Sequence, residues 1–167
     1  LKVVNEEQKD IPYNYITLNV YPDMEKVSNG GPTNEDFTNA HSDQYSEQDI
    51  QAMGALTRKV NNIIRSDLLK SISSIYSLNK YRIANFMKTA PEQRDAFVES
   101  RQEFTRPIFS RMIHDIDAPM SGWILNELVT PDGTEKEYDF VSFDLFKDKA
   151  DIGRANPNKN YTILAHP

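Results

Sequence analysis

The sequence predicts an α+β fold, an antiparallel sheet carrying helices on one face. Three observations predict it. Residues 13–21 and 138–146 alternate side chains with the period of two that a strand imposes. Apolar residues at spacings of three and four follow Ser46, and again follow Phe97, which marks amphipathic helices. Pro131-Asp132-Gly133-Thr134 joins two strand-like runs directly, as a hairpin turn does.

Length and charge bound the function classes. The chain has 167 residues, the size of about one ordinary domain, and can build its own core. It has no cysteine, so disulfides, thiolate metal sites and a cysteine nucleophile are excluded. A net charge of −6, from 19 basic and 25 acidic residues, argues against a nucleic-acid or anionic-membrane partner. No apolar run approaches the roughly 18 residues of a spanning helix, so no membrane insertion is expected. No metal is expected either, because Asp139, Asp144, Asp148 and Asp151 lack a ligand spacing. A start without Met and the lack of cysteine are compatible with a soluble, exported protein but do not fix the compartment.

Taken in order, residues 13–21 read as a strand with Ile16, Leu18 and Val20 on one face. Residues 28–46 read as a loop. Ser46 caps the next helix and Asp49 reaches back to it. The stripe Ile50, Met53, Leu56, Val60, Ile63, Ile64, Leu68, Ile72 and Ile75 predicts one nearly continuous helix over 46–77. Residues 81–88 form a strand with Tyr81, Ile83, Asn85 and Met87 on one face. A helix then starts around Thr89-Ala90-Pro91-Glu92. Its stripe of Phe97, Phe104, Ile108 and Met112 runs to about His114, with a kink at Pro107. Residues 123–130 and 138–146 are antiparallel strands, and 153–160 read as a loop.

One unit therefore reads strand, helix, hairpin, helix, which is a ferredoxin-like arrangement. Val141, Phe143 and Leu145 are expected to face the helices. Phe140, Ser142 and Asp144 would then face a second sheet around a partly filled interior. The unit is expected to occur twice in outline. At an offset of 125, residues 13–21 match 138–146 in character, Asp23 meets Asp148, Pro32 meets Pro157, and Ala40-His41 meets Ala165-His166. On this reading residues 1–78 are the C-terminal part of a first repeat and 79–167 most of a second, together one compact unit cut at both ends.

Arg106 to Phe109 (RPIF), Gly122-Trp123, Pro131 to Thr134 (PDGT) and the run from Tyr138 to Phe146 (YDFVSFDLF) together resemble the dimeric α+β barrel superfamily. The resemblance is to its tandem-repeat members of unassigned function and, distantly, to its small antibiotic-biosynthesis-type monooxygenase domains. It implies two ferredoxin-like units closing a barrel, as an intramolecular pseudo-dimer or as a homodimer.

The function expected is the binding of a small organic ligand between the sheets, with no cofactor. The alternatives are a cofactor-independent monooxygenase and a purely structural or interaction module. Tyr15, Asn19, Tyr138, Phe140 and Ser142 would line the interior, with His41 and His166 at equivalent loop positions near its mouth. Asp144 is the candidate general base. Asn85 and Trp123 are the residue types that haem-degrading members of the superfamily use, although no histidine here stands in a haem-ligand context. His114, in the last turn of its helix, suits the helix dipole instead.

Overall fold

A computed structural model describes residues 2–3, 15–28, 34–41, 44–60, 63–76, 79–116, 118–131, 136–155 and 163–165. The chain divides into two units, 1–16 with 66–167, and 17–65. This partition differs from the repeat-based segments 1–78 and 79–167.

The larger unit is α+β. Its strands are β1 (Lys2–Val3), β2 (Leu68–Ile75), β3 (Tyr81–Met87), β4 (Gly122–Thr130), β5 (Phe140–Phe146) and β6 (Ile163–Ala165). They form one sheet in the order β1-β6-β3-β5-β4-β2, with every neighbouring pair antiparallel. The sheet ends at β1 and β2 and does not close into a barrel. Among the described residues there is no second sheet to close it.

The smaller unit, 17–65, contains α1 (Met24–Ser28), α2 (Asn34–His41) and α3 (Glu47–Val60). The larger unit contains α4 (Arg94–Ser100), α5 (Arg106–Asp115) and α6 (Lys149–Ala155). The capping box at the start of α3 forms as the residues predict. The Asp49 amide donates to Ser46 Oγ at 3.2 Å, and the Ser46 amide donates to Asp49 Oδ2 at 3.1 Å.

The helix expected over 46–77 ends at Val60, and residues 68–75 are strand β2. Ser71, Ser73 and Ser74 interrupt that stretch, and serine competes with a helical backbone for hydrogen bonds. The edge of β4 offers the segment a ladder instead, from Leu68 opposite Thr130 to Ile75 opposite Trp123. Ile63, placed in the buried stripe by its spacing, is 78% exposed.

The strand expected over 13–21 does not form in its described part. Tyr15 makes an isolated bridge, residues 16–21 have no regular structure, and Val20 is 92% exposed. Alternation states how a strand would present its faces, but a strand also needs a partner for its backbone groups. The two segments matched at an offset of 125 agree only in a local feature. Asp23 accepts the Lys26 amide at 2.9 Å to start α1, and Asp148 accepts the Asp151 amide at 2.9 Å to start α6. Farther on, helix α2 corresponds to the segment holding strand β6, so the two courses diverge.

The helices α4, α5 and α6 pack on the sheet face that carries Phe140, Leu125, Trp123 and Ile83. Phe97, Val98 and Phe109 meet Trp123, Leu125 and Phe140, while Ile152 meets Ile83 and Phe146. This reverses the expected assignment, in which Val141, Phe143 and Leu145 met the helices. Those three lie on the opposite face, in a cluster with Leu128 and Tyr138 against which Ile16 packs. The pairing register explains the reversal. It sets Trp123 beside Asp144, Leu125 beside Ser142 and Met87 beside Phe140, so neighbouring strands make the Ser142–Asp144 face strongly apolar. Judged from β5 alone, it looks like the polar face.

Candidate functional site

The connection from β3 to β4 begins with a short 3₁₀ turn, Pro91–Gln93, and continues as α4, a π-helical turn over Arg101–Thr105, and α5. Pro107 explains the π turn. It has no N–H to give the carbonyl four residues back, and its ring crowds that carbonyl. The Arg106 amide bonds to the Arg101 carbonyl five residues back, and the wider turn absorbs the conflict. The turn also shifts which residues face the sheet. Thr105 and Phe109 turn inward, whereas Phe104 and Ile108, expected inside, are 67% and 56% exposed.

Between this π turn and the sheet lies a cavity of about 210 Å³. Its polar wall is Asn85 on β3 with Ser142 and Asp144 on β5. Asn85 sits directly opposite Ser142, and one amide reaches both residues. Asn85 Nδ2 donates to Asp144 Oδ2 at 3.0 Å and to Ser142 Oγ at 3.3 Å. The apolar wall is Trp123, Leu125, Met87 and Phe109, with Phe109 meeting the Trp123 ring edge-on at 5.5 Å. Arg101 and Thr105 of the π turn close the helix side. Arg101 Nη1 donates to Thr105 Oγ1 at 3.2 Å, and its guanidinium lies over the Phe97 ring at 4.8 Å.

Two anchors hold the helix layer over this face. Arg94 pairs with Glu127 of β4 through Nε at 2.7 Å and through Nη2, and its guanidinium lies 5.7 Å from the Phe140 ring centre. Asp139, just before β5, accepts the Thr89 amide at 2.8 Å and pairs with Lys136 at 2.6 Å. Burial pushes the Asp139 carboxyl up, but the Lys136 hydrogen bond, the Thr89 amide, the Lys136 charge and the Thr89 hydroxyl outweigh it. Its pKa lies below the ordinary aspartate value.

Of the residues singled out from the sequence, Asn85, Trp123, Ser142 and Asp144 meet in this cavity, between sheet and helices rather than between sheets. Phe140 lies on the same face but packs against Phe97 at 4.7 Å and does not line the cavity. Tyr138 belongs to the opposite face, where it stacks edge-on with Phe86 at 4.9 Å and donates to Asp67. Tyr15 and Asn19 are exposed and line no part of the cavity. His41 ends α2, with its side chain outside the description, and His166 lies outside the described residues.

Sequence reasoning missed Arg101, Thr105 and Phe109. Pro107 was the one available sign, since a proline within a helix forces a local change of register.

A second cavity, about 220 Å³, lies at the end of α5 beside α6 and includes Lys147, Asp151 and Arg154. Its Arg154 already pairs with Asp151 at 3.1 Å. Among the described residues no group of three or more His, Asp or Glu side chains could hold a metal, and no helix is long and apolar enough to cross a membrane. No family model, curated protein or solved structure matches the chain.

Proposed function

We propose that this chain is a binding domain for a small organic ligand, held between the π-turn helix and the sheet. The observation that carries the reading is the Asn85 amide bonded to both Asp144 and Ser142 at the wall of a cavity whose other sheet-side lining is apolar. A few convergent polar groups in an apolar concavity are the usual form of a ligand site. At about 210 Å³ the cavity is below the roughly 300–1,000 Å³ of typical ligand pockets, so it suits a compact molecule. The scaffold we propose is a ferredoxin-like unit from β3 to β6. Its strand order β6-β3-β5-β4, with helices linking β3 to β4 and β5 to β6 on one face, supports this.

Trp123 is the single tryptophan of the chain and lines the cavity, so its fluorescence reports on occupancy. A library of fragment-sized compounds should contain molecules that change Trp123 emission saturably. Asn85→Leu should weaken them at least tenfold while the far-UV circular dichroism is kept. If no compound gives a saturable change, the ligand reading is wrong.

A further inference from the structure

We infer that the ligand is a compact monocarboxylate, one negative charge on an apolar body, and that Arg101 takes the carboxylate. The inference rests on the ligand-binding reading above and adds the chemical class and the residue that selects it.

Two arginines of the helix layer lie over phenyl rings, and they differ in what fills the guanidinium. Arg94 stands 5.7 Å from the Phe140 ring centre and gives both Nε and Nη2 to Glu127. Arg101 stands 4.8 Å from the Phe97 ring centre, is half-buried, and lines the cavity. Its polar partner among the described residues is a neutral hydroxyl, Thr105 Oγ1, which accepts from Nη1 at 3.2 Å. A guanidinium presents five donors in a planar fork that matches a carboxylate. Glu127 fills that fork in Arg94, whereas most of the Arg101 fork is left for an occupant of the cavity. Thr105 accepts the Arg101 bond with its oxygen and retains its hydroxyl proton to donate. The helix side of the cavity therefore presents donors around one positive charge.

The sheet side decides the rest of the ligand. Asp144 is already engaged, by the Asn85 amide at 3.0 Å and by a further interaction, so it asks for no counter-charge. It is a fixed negative charge in the same small cavity and opposes a second anionic charge on the ligand, which favours a carboxylate over a phosphate dianion. Against a single charge the direct bond to Arg101 prevails, because that pair is in contact and the repulsion acts from the other layer. Met87, Phe109, Trp123 and Leu125 offer the apolar surface for a hydrocarbon or aromatic body. A neutral ligand of the same shape would cover the guanidinium without filling its fork, and an ammonium would add a like charge beside it.

The test is a set of titrations of the intact chain at pH 7, followed by Trp123 fluorescence excited at the red edge and confirmed by calorimetry. The probes are 3-phenylpropionate, 2-phenylethanol and phenethylamine, which share one ring and differ in charge. The carboxylate should bind about tenfold tighter than either of the others, the gain expected of hydrogen bonds to a charged group. In R101M that advantage should disappear, while 2-phenylethanol binds as before. In D144N the carboxylate should bind as tightly as to the native chain or more so, since a like charge is removed. Equal affinity for the three probes, or preference for phenethylamine, would overturn the carboxylate inference while leaving ligand binding intact. A carboxylate preference that persists in R101M would overturn the assignment to Arg101. Failure of all three probes overturns the carboxylate class, and the ligand-binding reading then stands or falls separately on the fragment library. The comparison of probes on the unmodified chain decides the class even if a variant does not fold.

Discussion

Removing the Asp139 carboxylate should loosen the end of the sheet that supports the helix layer. Asp139 is 5% exposed. Its backbone joins three strands, the amide donating to Met87 at the end of β3 and the carbonyl accepting from Leu128 in β4. Its side chain accepts the Thr89 amide at 2.8 Å and the Thr89 hydroxyl at 3.3 Å, and pairs with Lys136 at 2.6 Å. In Asp139→Ala the Thr89 amide loses its acceptor, a loss of about 1–3 kcal/mol. Lys136 loses its counter-charge but retains 16% exposure, so it can turn partly to water and the full buried-pair penalty does not apply. The expected total is about 2–4 kcal/mol, and about 1–2 kcal/mol for Asp139→Asn, which keeps an acceptor for Thr89.

The pH dependence has a definite sign. The folded-state pKa is depressed, so the carboxylate stabilises the fold above the unfolded value of about 4, and that contribution is lost as pH falls through the folded value. Urea titrations followed by Trp123 fluorescence should therefore show a gap between the native chain and Asp139→Asn that is full at pH 7 and narrows as pH drops below about 4. A loss under about 0.5 kcal/mol in Asp139→Ala, within the range of ordinary surface substitutions, or a gap unchanged between pH 7 and 3, would refute the reasoning.

Ile63→Ala should change stability by less than about 0.5 kcal/mol, because Ile63 is 78% exposed; a urea midpoint shift worth 2 kcal/mol would place it in a core. Gly122→Ala should cost about 1–3 kcal/mol. A Cβ there would stand 2.8 Å from the Ile75 carbonyl oxygen and 2.8 Å from Leu145 Cδ1, forcing β2 or β5 to move, and a neutral thermal midpoint would contradict this close approach.

The strands β3, β4 and β5 were legible because their alternation coincides with real pairing partners. Asn85 and Trp123, on separate strands, come beside Ser142 and Asp144 of β5 through that pairing. The Ser46–Asp49 cap was legible for a related reason, since its hydrogen bonds lie within four residues. What failed was everything set by distant contacts. Residues 15–21 alternate as well as β5 does, yet no ladder forms along them. The stripe after Val60 has helical spacing, but pairing with β4 decides its state. The helix-facing side of β5 could not be read from β5, because the apolar surplus comes from Trp123 and Leu125 on β4 and Ile83 and Met87 on β3.

The π turn links the sequence to the candidate site most directly. In an uninterrupted α-helix, the period beginning at Phe97 would bring Phe104 and Ile108 down onto the sheet. Full burial of each side chain would contribute about 1.5–3 kcal/mol, against which stand the clash at Pro107 and the packing of Phe109 on Trp123. Instead Pro107 imposes the wider turn, Phe104 and Ile108 remain 67% and 56% exposed, and Arg101 and Thr105 face the cavity. The chain exchanges apolar burial at two positions for Phe109 against Trp123 and for a cation and a hydroxyl at the cavity wall. Single π turns are frequent at functional sites, which agrees with the place of this one at the cavity wall.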